Sequence, residues 1–285
     1  MKQMKTLIGA MVTFGAFSVA AADVIPLYTE ATVAELGDVF NQNVDAGDGV
    51  NDYGIEILDA ITSPPSPFND GNAMRMWDFY NGDKPELQGE LANPLTGPFR
   101  VDFESFNAST NGTSKAIRFR MGNAGDSITS ESRVAFSLSW QADKEITAKY
   151  ENTDDEFKTD STEPLDGVVD VTIVGNAAVS GNYDYTLFGE TRSLAAQSYD
   201  VFIDGVLFND DASKANGLGF TLLKASGNYD PAEGLQRFGL LGSSNGDVDP
   251  DVYFDNIILR TGDDIVPEPA SLALLSVGAL MLRRR

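Results

Sequence analysis

A two-residue alternation of apolar and polar side chains runs through most of the chain, and it excludes a helical body. From Val134 to Gln141, Val134, Phe136, Leu138 and Trp140 fall on one face, with Ala135, Ser137, Ser139 and Gln141 on the other. Ala116 to Met121 sets Ile117, Phe119 and Met121 against Arg118 and Arg120, and Phe99 to Phe106 sets Phe99, Val101 and Phe103 against Arg100, Asp102 and Glu104. Val168 to Val174, Tyr183 to Phe188 and Val252 to Arg260 read the same way. Successive side chains of an extended strand point to opposite faces, so the pattern predicts half-buried strands of antiparallel sheets, apolar inside and polar outside.

Turn chemistry agrees with strands. Tyr199 to Phe208 reads as a hairpin with Asp204-Gly205 at its tip, the pair a two-residue type I′ turn favours. Asn81-Gly82 and Asn111-Gly112 mark further turns, and Ala31 to Phe40 is the one modest helix candidate. Roughly a dozen strands at this spacing predict a sandwich. No repeat and no long linker divides residues 23–262, so they read as one antiparallel β-sandwich, all-β, between a leader at 1–22 and a tail at 263–285.

What the chain lacks narrows its chemistry. Without cysteine there is no disulfide framework and no thiolate ligand or nucleophile. Without histidine there is no Ser-His-Asp triad and no usual zinc site. Any catalysis would have to use Asp, Glu, Tyr, Lys or Arg. A net charge of −23 repels nucleic acid and anionic lipid heads, both of which call for basic patches.

The two ends carry their own signals. Lys2 and Lys5 precede an apolar run from Leu7 to Val19, and Ala20 and Ala22 place small side chains three residues and one residue before a cut at Asp23. That is the layout of a signal peptide, predicted to enter the membrane as a helix and to be removed by signal peptidase. At the other end, Pro267-Glu268-Pro269 leads into the apolar stretch Ala270 to Leu282 and then Arg283, Arg284 and Arg285. Thirteen helical residues would span about 20 Å, short of the ~30 Å hydrocarbon core, and the arginines would stay cytoplasmic.

From Val266 to Arg285 the tail resembles the PEP-CTERM sorting signal of Gram-negative bacteria that make extracellular polysaccharide. The resemblance implies export, transient contact with the inner membrane and handling by an exosortase. It further implies delivery to the cell surface or the extracellular matrix.

The mature chain resembles the concanavalin A-like lectin/glucanase jelly rolls. The resemblance rests on Gly71 to Met76 with Asp78, the Phe99 to Phe106 strand, Ser132 to Lys149, Tyr199 to Gly205, and Val252 to Leu259 as closing strand. It implies a structural Ca²⁺, with Asp255 on the last strand as one ligand and Glu30 near the first as another. Calcium takes six to eight oxygens, so backbone carbonyls would complete the shell. Asp247-Val-Asp249-Pro-Asp251 opens like an EF-hand loop, but Val252 replaces the glycine that loop needs, and a solvated acidic turn is the simpler account. The Glu-x-Asp-x-(x)-Glu pattern of this fold's glucanases is absent; Glu151 to Glu156 has the wrong spacing.

Glycan binding needs an aromatic platform beside a few polar groups. Trp77 stands out of phase with Met74 and Met76 and is expected to face outward; Tyr183 and Tyr185 share one face, with either side of the sheet open to them. Trp140 alternates with core positions and is expected to pack. These readings converge on an exported protein that associates with extracellular polysaccharide without catalysis. The alternatives are a secreted polysaccharide-degrading enzyme and a purely structural surface protein.

Overall fold

The structure, a computed structural model, describes residues 23–28, 41–43, 53–58, 66–68, 73–78, 85–110, 116–125, 129, 134–151, 157–208, 220–221, 229–242, 250–262 and 265. Eighteen strands lie in this part of the chain. The first six are β1 (Asp23–Tyr28), β2 (Asn41–Asn43), β3 (Tyr53–Leu58), β4 (Ala73–Asp78), β5 (Glu86–Leu95) and β6 (Pro98–Asn107). Next come β7 (Ala116–Gly122), β8 (Val134–Gln141), β9 (Ile146–Glu151), β10 (Phe157–Ser161), β11 (Val168–Asn176) and β12 (Tyr183–Leu187). The last six are β13 (Glu190–Leu194), β14 (Ser198–Ile203), β15 (Val206–Leu207), β16 (Phe220–Thr221), β17 (Leu235–Leu241) and β18 (Asp251–Thr261).

They form an antiparallel jelly-roll sandwich. The nine-stranded sheet runs β15-β14-β11-β6-β18-β4-β3, with β1 also beside β18 and β16 beside β14. Facing it, the seven-stranded sheet runs β10-β9-β8-β7-β17-β5-β2. The chain passes from one sheet to the other between β4, β5, β6 and β7, so sequence neighbours are often partners across the core instead of within a ladder. Strand β18 forks: its first half pairs with β4 up to Phe254 and its second half pairs with β1 from Ile257 onward. A bulge between Asp255 and Ile258, with Asn256 at φ 50°, accompanies the change of partner.

The alternation read from the sequence fills the space between the sheets. Phe99, Val101 and Phe103 of β6 meet Phe119 of β7, Phe136, Leu138 and Trp140 of β8, Tyr199 of β14 and Phe254 of β18. Trp140 stands edge-on to Phe254 at 4.9 Å and donates its indole N–H to Ser105 Oγ at 3.1 Å, across the core. Burying each such ring contributes about 1.5–3 kcal/mol, provided that any polar atom it carries finds a partner.

Polar alternation did not mean solvation everywhere. Arg120, Ser137 and Ser139 lie on the outer face of the seven-stranded sheet, yet all three are buried. Arg120 donates from Nε to Ser137 Oγ at 3.2 Å and from Nη1 to the Thr129 carbonyl at 3.0 Å, drawing the chain at Thr129 down over the face. The leader with Ala20 and Ala22, the Ala31 to Phe40 segment, the two Asn-Gly turns and the tail with Pro267, Glu268, Pro269 and Arg283 to Arg285 lie outside the described residues.

Candidate functional site

One hairpin breaks the symmetry of the sandwich. Strands β12 and β13 pair only with each other and lie against the outer face of the nine-stranded sheet. Tyr185, Leu187 and Leu194 of the hairpin cover Val174 of β11 and Phe202 of β14. That contact buries Asp200 of β14 completely, and a buried carboxylate needs hydrogen bonds on its oxygens. Tyr185 Oη donates to Oδ2 at 2.5 Å; Arg192 donates from Nε to Oδ2 at 2.7 Å and from Nη2 to Oδ1 at 3.1 Å. Burial first, and then the Asp200 carboxylate, push the Tyr185 hydroxyl well above its ordinary value, so it stays a proton donor.

The hairpin turns at Phe188-Gly189, with φ of 51° and 86° at its two central residues. Its tip reaches the edge of an open groove of about 390 Å³, within the size range of small-ligand sites. The floor is the outer face of β6, β11 and β18. Arg100 and Arg260 stand directly opposite each other in the β6–β18 ladder, an arrangement of like charges that needs a counter-ion. Asp102 supplies it: Arg100 Nε donates to Oδ1 at 2.7 Å and Arg260 Nε to Oδ2 at 3.0 Å. Thr172 of β11, opposite Asp102 in register, adds an O–H bond of 2.8 Å. Farther along the floor Glu104 opposes Asp170 across β6–β11, and both line the groove with Asn256, Ile258 and Phe188. Phe188 is 51% exposed.

The residues singled out from the sequence do not meet here. Trp77 is out of phase with the core methionines as expected, but it is not an open platform. Its ring lies over Gly54, its cross-strand partner, and Arg75 stacks on it at 5.0 Å, leaving it buried. Tyr185 is also buried, its hydroxyl committed to Asp200. Tyr183 does share its face, stacked at 5.8 Å, and lies half-buried beside Arg100. Gly54 beneath Trp77, Asp200 beside Tyr185 and Arg100 beside Tyr183 all come from other strands, which the sequence pattern does not name. Asp251, from the EF-hand-like string, is bound bidentately by Arg75 at 2.8 and 2.9 Å.

Asp255 is fully buried at the fork of β18, where Asn256 Nδ2 donates to its Oδ2 at 2.8 Å. It shares a cross-strand row with Glu104 and Asp170. Among the described residues, however, no group of three or more carboxylates is placed to hold a metal ion. Glu30 lies outside the described residues, beyond the end of β1.

Sequence reasoning missed the groove because its members come from three strands far apart in the chain. The only sequence signal near Phe188 was Gly189, a turn residue between two alternating runs.

No family model and no curated protein matches the sequence. Among solved structures, a carbohydrate esterase from the Shiga toxin-encoding bacteriophage phi24B is similar over 84% of this chain and 100% of its own, at 13% identity and TM-score 0.47. A family 7 alginate lyase is similar over 76% of this chain and 96% of its own, at 10% identity and TM-score 0.42. The carbohydrate recognition domain of Emp47p is similar over 70% and 85%, at 11% identity and TM-score 0.39.

Proposed function

We propose that this chain is exported and that its sandwich associates, without catalysis, with extracellular polysaccharide through the groove beside the β12–β13 hairpin. The supporting observation is the make-up of that groove: a floor of fixed Arg, Asp, Thr and Asn groups beside the exposed ring of Phe188. Sugars offer the matching pair of surfaces, hydroxyls at their edges and an apolar C–H face. The signal peptide, its cut after Ala22, and the Pro267-Glu268-Pro269 tail with its Arg283 to Arg285 end support export through the inner membrane of a Gram-negative bacterium. Signal peptidase and an exosortase would be the processing partners, and the surface or matrix the destination. The test is retention of the exported protein on a panel of insoluble polysaccharides, with released reducing sugar measured in the same wells. Retention without release is the expected result. Absence of both, from folded protein, would leave a purely structural surface role.

One observation favours a second reading, a polysaccharide-degrading enzyme. Glu104 and Asp170 face each other across a ladder and both line the groove, and directly opposed side chains begin about 5 Å apart. Retaining glycosidases hold their two carboxyls at about that separation. Sugar release that Glu104→Gln abolishes would select this reading.

Calcium belongs to the proposal as a structural ion near Asp255 and Glu30. A rise in melting temperature on adding Ca²⁺, absent in Asp255→Asn, would support it; identical melting with Ca²⁺ and with chelator would end it.

A further inference from the structure

The groove is electrically lopsided. Among the described residues at one end, two guanidiniums share a single carboxylate, leaving one net positive charge there in a chain whose total is −23. At the other end stand Glu104 and Asp170. The cationic end also has donors to spare. Arg260 engages Asp102 through Nε alone, and among the described residues its two Nη groups donate to nothing. Arg100 uses Nε on Asp102 and Nη1 on the Ile265 carbonyl at 3.3 Å, which leaves Nη2. Planar guanidinium forks held in place this way match the paired oxygens of a carboxylate or sulfate.

Phe188 supplies a second, independent sign. A bulky residue at φ 51° is a backbone outlier, costing roughly 1–2 kcal/mol relative to glycine. This protein builds the same turn the easy way two strands later, with Asp204-Gly205 at φ 51° and 74°. At the hairpin tip it instead places a phenylalanine that packs one edge on Phe202 at 5.4 Å and leaves half its surface to solvent. The ring also lies close to the Gly205 turn, but glycine would meet the demand of the backbone without strain, and the half-exposed ring suits a ligand-facing surface.

We propose that the groove selects an acidic glycan. A carboxylate or sulfate of one sugar sits at the Arg100–Arg260 end, the C–H face of a ring rests on Phe188, and hydroxyls donate to Glu104 and Asp170. Glu104 and Asp170 disfavour an anion at their end, so the acidic group is directed to the arginine end. This inference rests on the reading of the groove as a glycan site.

The experiment is calorimetric titration of the full exported chain with three soluble probes: a uronate oligosaccharide, a sulfated one and a neutral β-glucan oligosaccharide. Wild type is expected to bind an acidic probe and to discriminate against the neutral one; the two acidic probes tell carboxylate from sulfate. Arg260→Gln is expected to weaken the acidic probe roughly tenfold, the loss of charge-assisted bonds. Arg260→Lys, which keeps charge but loses the fork, should recover only part of it. Phe188→Gly should weaken binding roughly threefold to tenfold while raising the melting temperature, and Phe188→Trp should hold affinity. Equal binding of neutral and acidic probes, with Phe188→Gly weakening both, would overturn the acidic selection and leave the groove reading standing. Acidic binding indifferent to both substitutions, in variants that melt like wild type, or no binding of any probe, would sink the groove reading itself.

Discussion

Asp200 shows how a polar sheet face becomes interior. Once the β12–β13 hairpin lies on it, its carboxylate depends on Tyr185 and Arg192. Arg192→Met would leave a buried charge with one partner fewer and should cost on the order of 3 kcal/mol, measured by denaturant unfolding. Tyr185 gives a pH signature. Its folded value lies above its unfolded value of about 10, so its stabilisation is complete below about pH 10 and drains away as pH rises toward the folded value. Melting temperature should therefore fall with alkali in wild type, and the fall should be shallower in Tyr185→Phe. That variant should start about 1.5–3 kcal/mol lower at neutral pH for want of the hydroxyl bond.

At the scale of elements, three ladders repeat one device. Gly54, Gly89 and Gly175 stand directly opposite Trp77, Phe238 and Phe99, and in each pair the ring lies over the glycine. A Cβ on Gly175 would overlap the Phe99 ring. Gly175→Ala should destabilise by about 1–3 kcal/mol through forced repacking, seen as a lower denaturant midpoint at unchanged slope. The strand readings from the sequence stand close to these elements: Val134 to Gln141 is β8 to the residue, and Asp204-Gly205 does turn the β14–β15 hairpin. The Tyr183 to Phe188 strand stops one residue sooner, at Leu187, because Phe188 takes a positive φ and begins the turn. That single residue moves from strand to groove wall.

For the whole molecule, charge and packing pull in opposite directions. A net −23 repels itself most in the compact state, so raising NaCl from about 10 mM to about 500 mM should raise the melting temperature by screening. Within this acidic shell the groove concentrates two arginines, and its selectivity depends on that local exception to the overall charge.

Alternation, turn dipeptides and the lack of cysteine and histidine were enough, unaided, for an antiparallel sandwich and for excluding whole classes of catalysis. They suffice because side-chain direction in a strand and the chemistry of absent groups are local properties. Which polar residues are solvated, and which meet, was decided only by the tertiary structure. Trp77 and Arg120 read as outward-facing, and they are buried beneath Arg75 and the chain at Thr129; Tyr185, whose side of the sheet the sequence left open, is buried against Val174 and Phe202. Arg100, Asp102, Thr172 and Arg260 form one lattice because β11 and β18 flank β6, a pairing between segments some 70 and 158 residues apart. Such contacts depend on sheet order, and sheet order is set by which apolar faces close the core together.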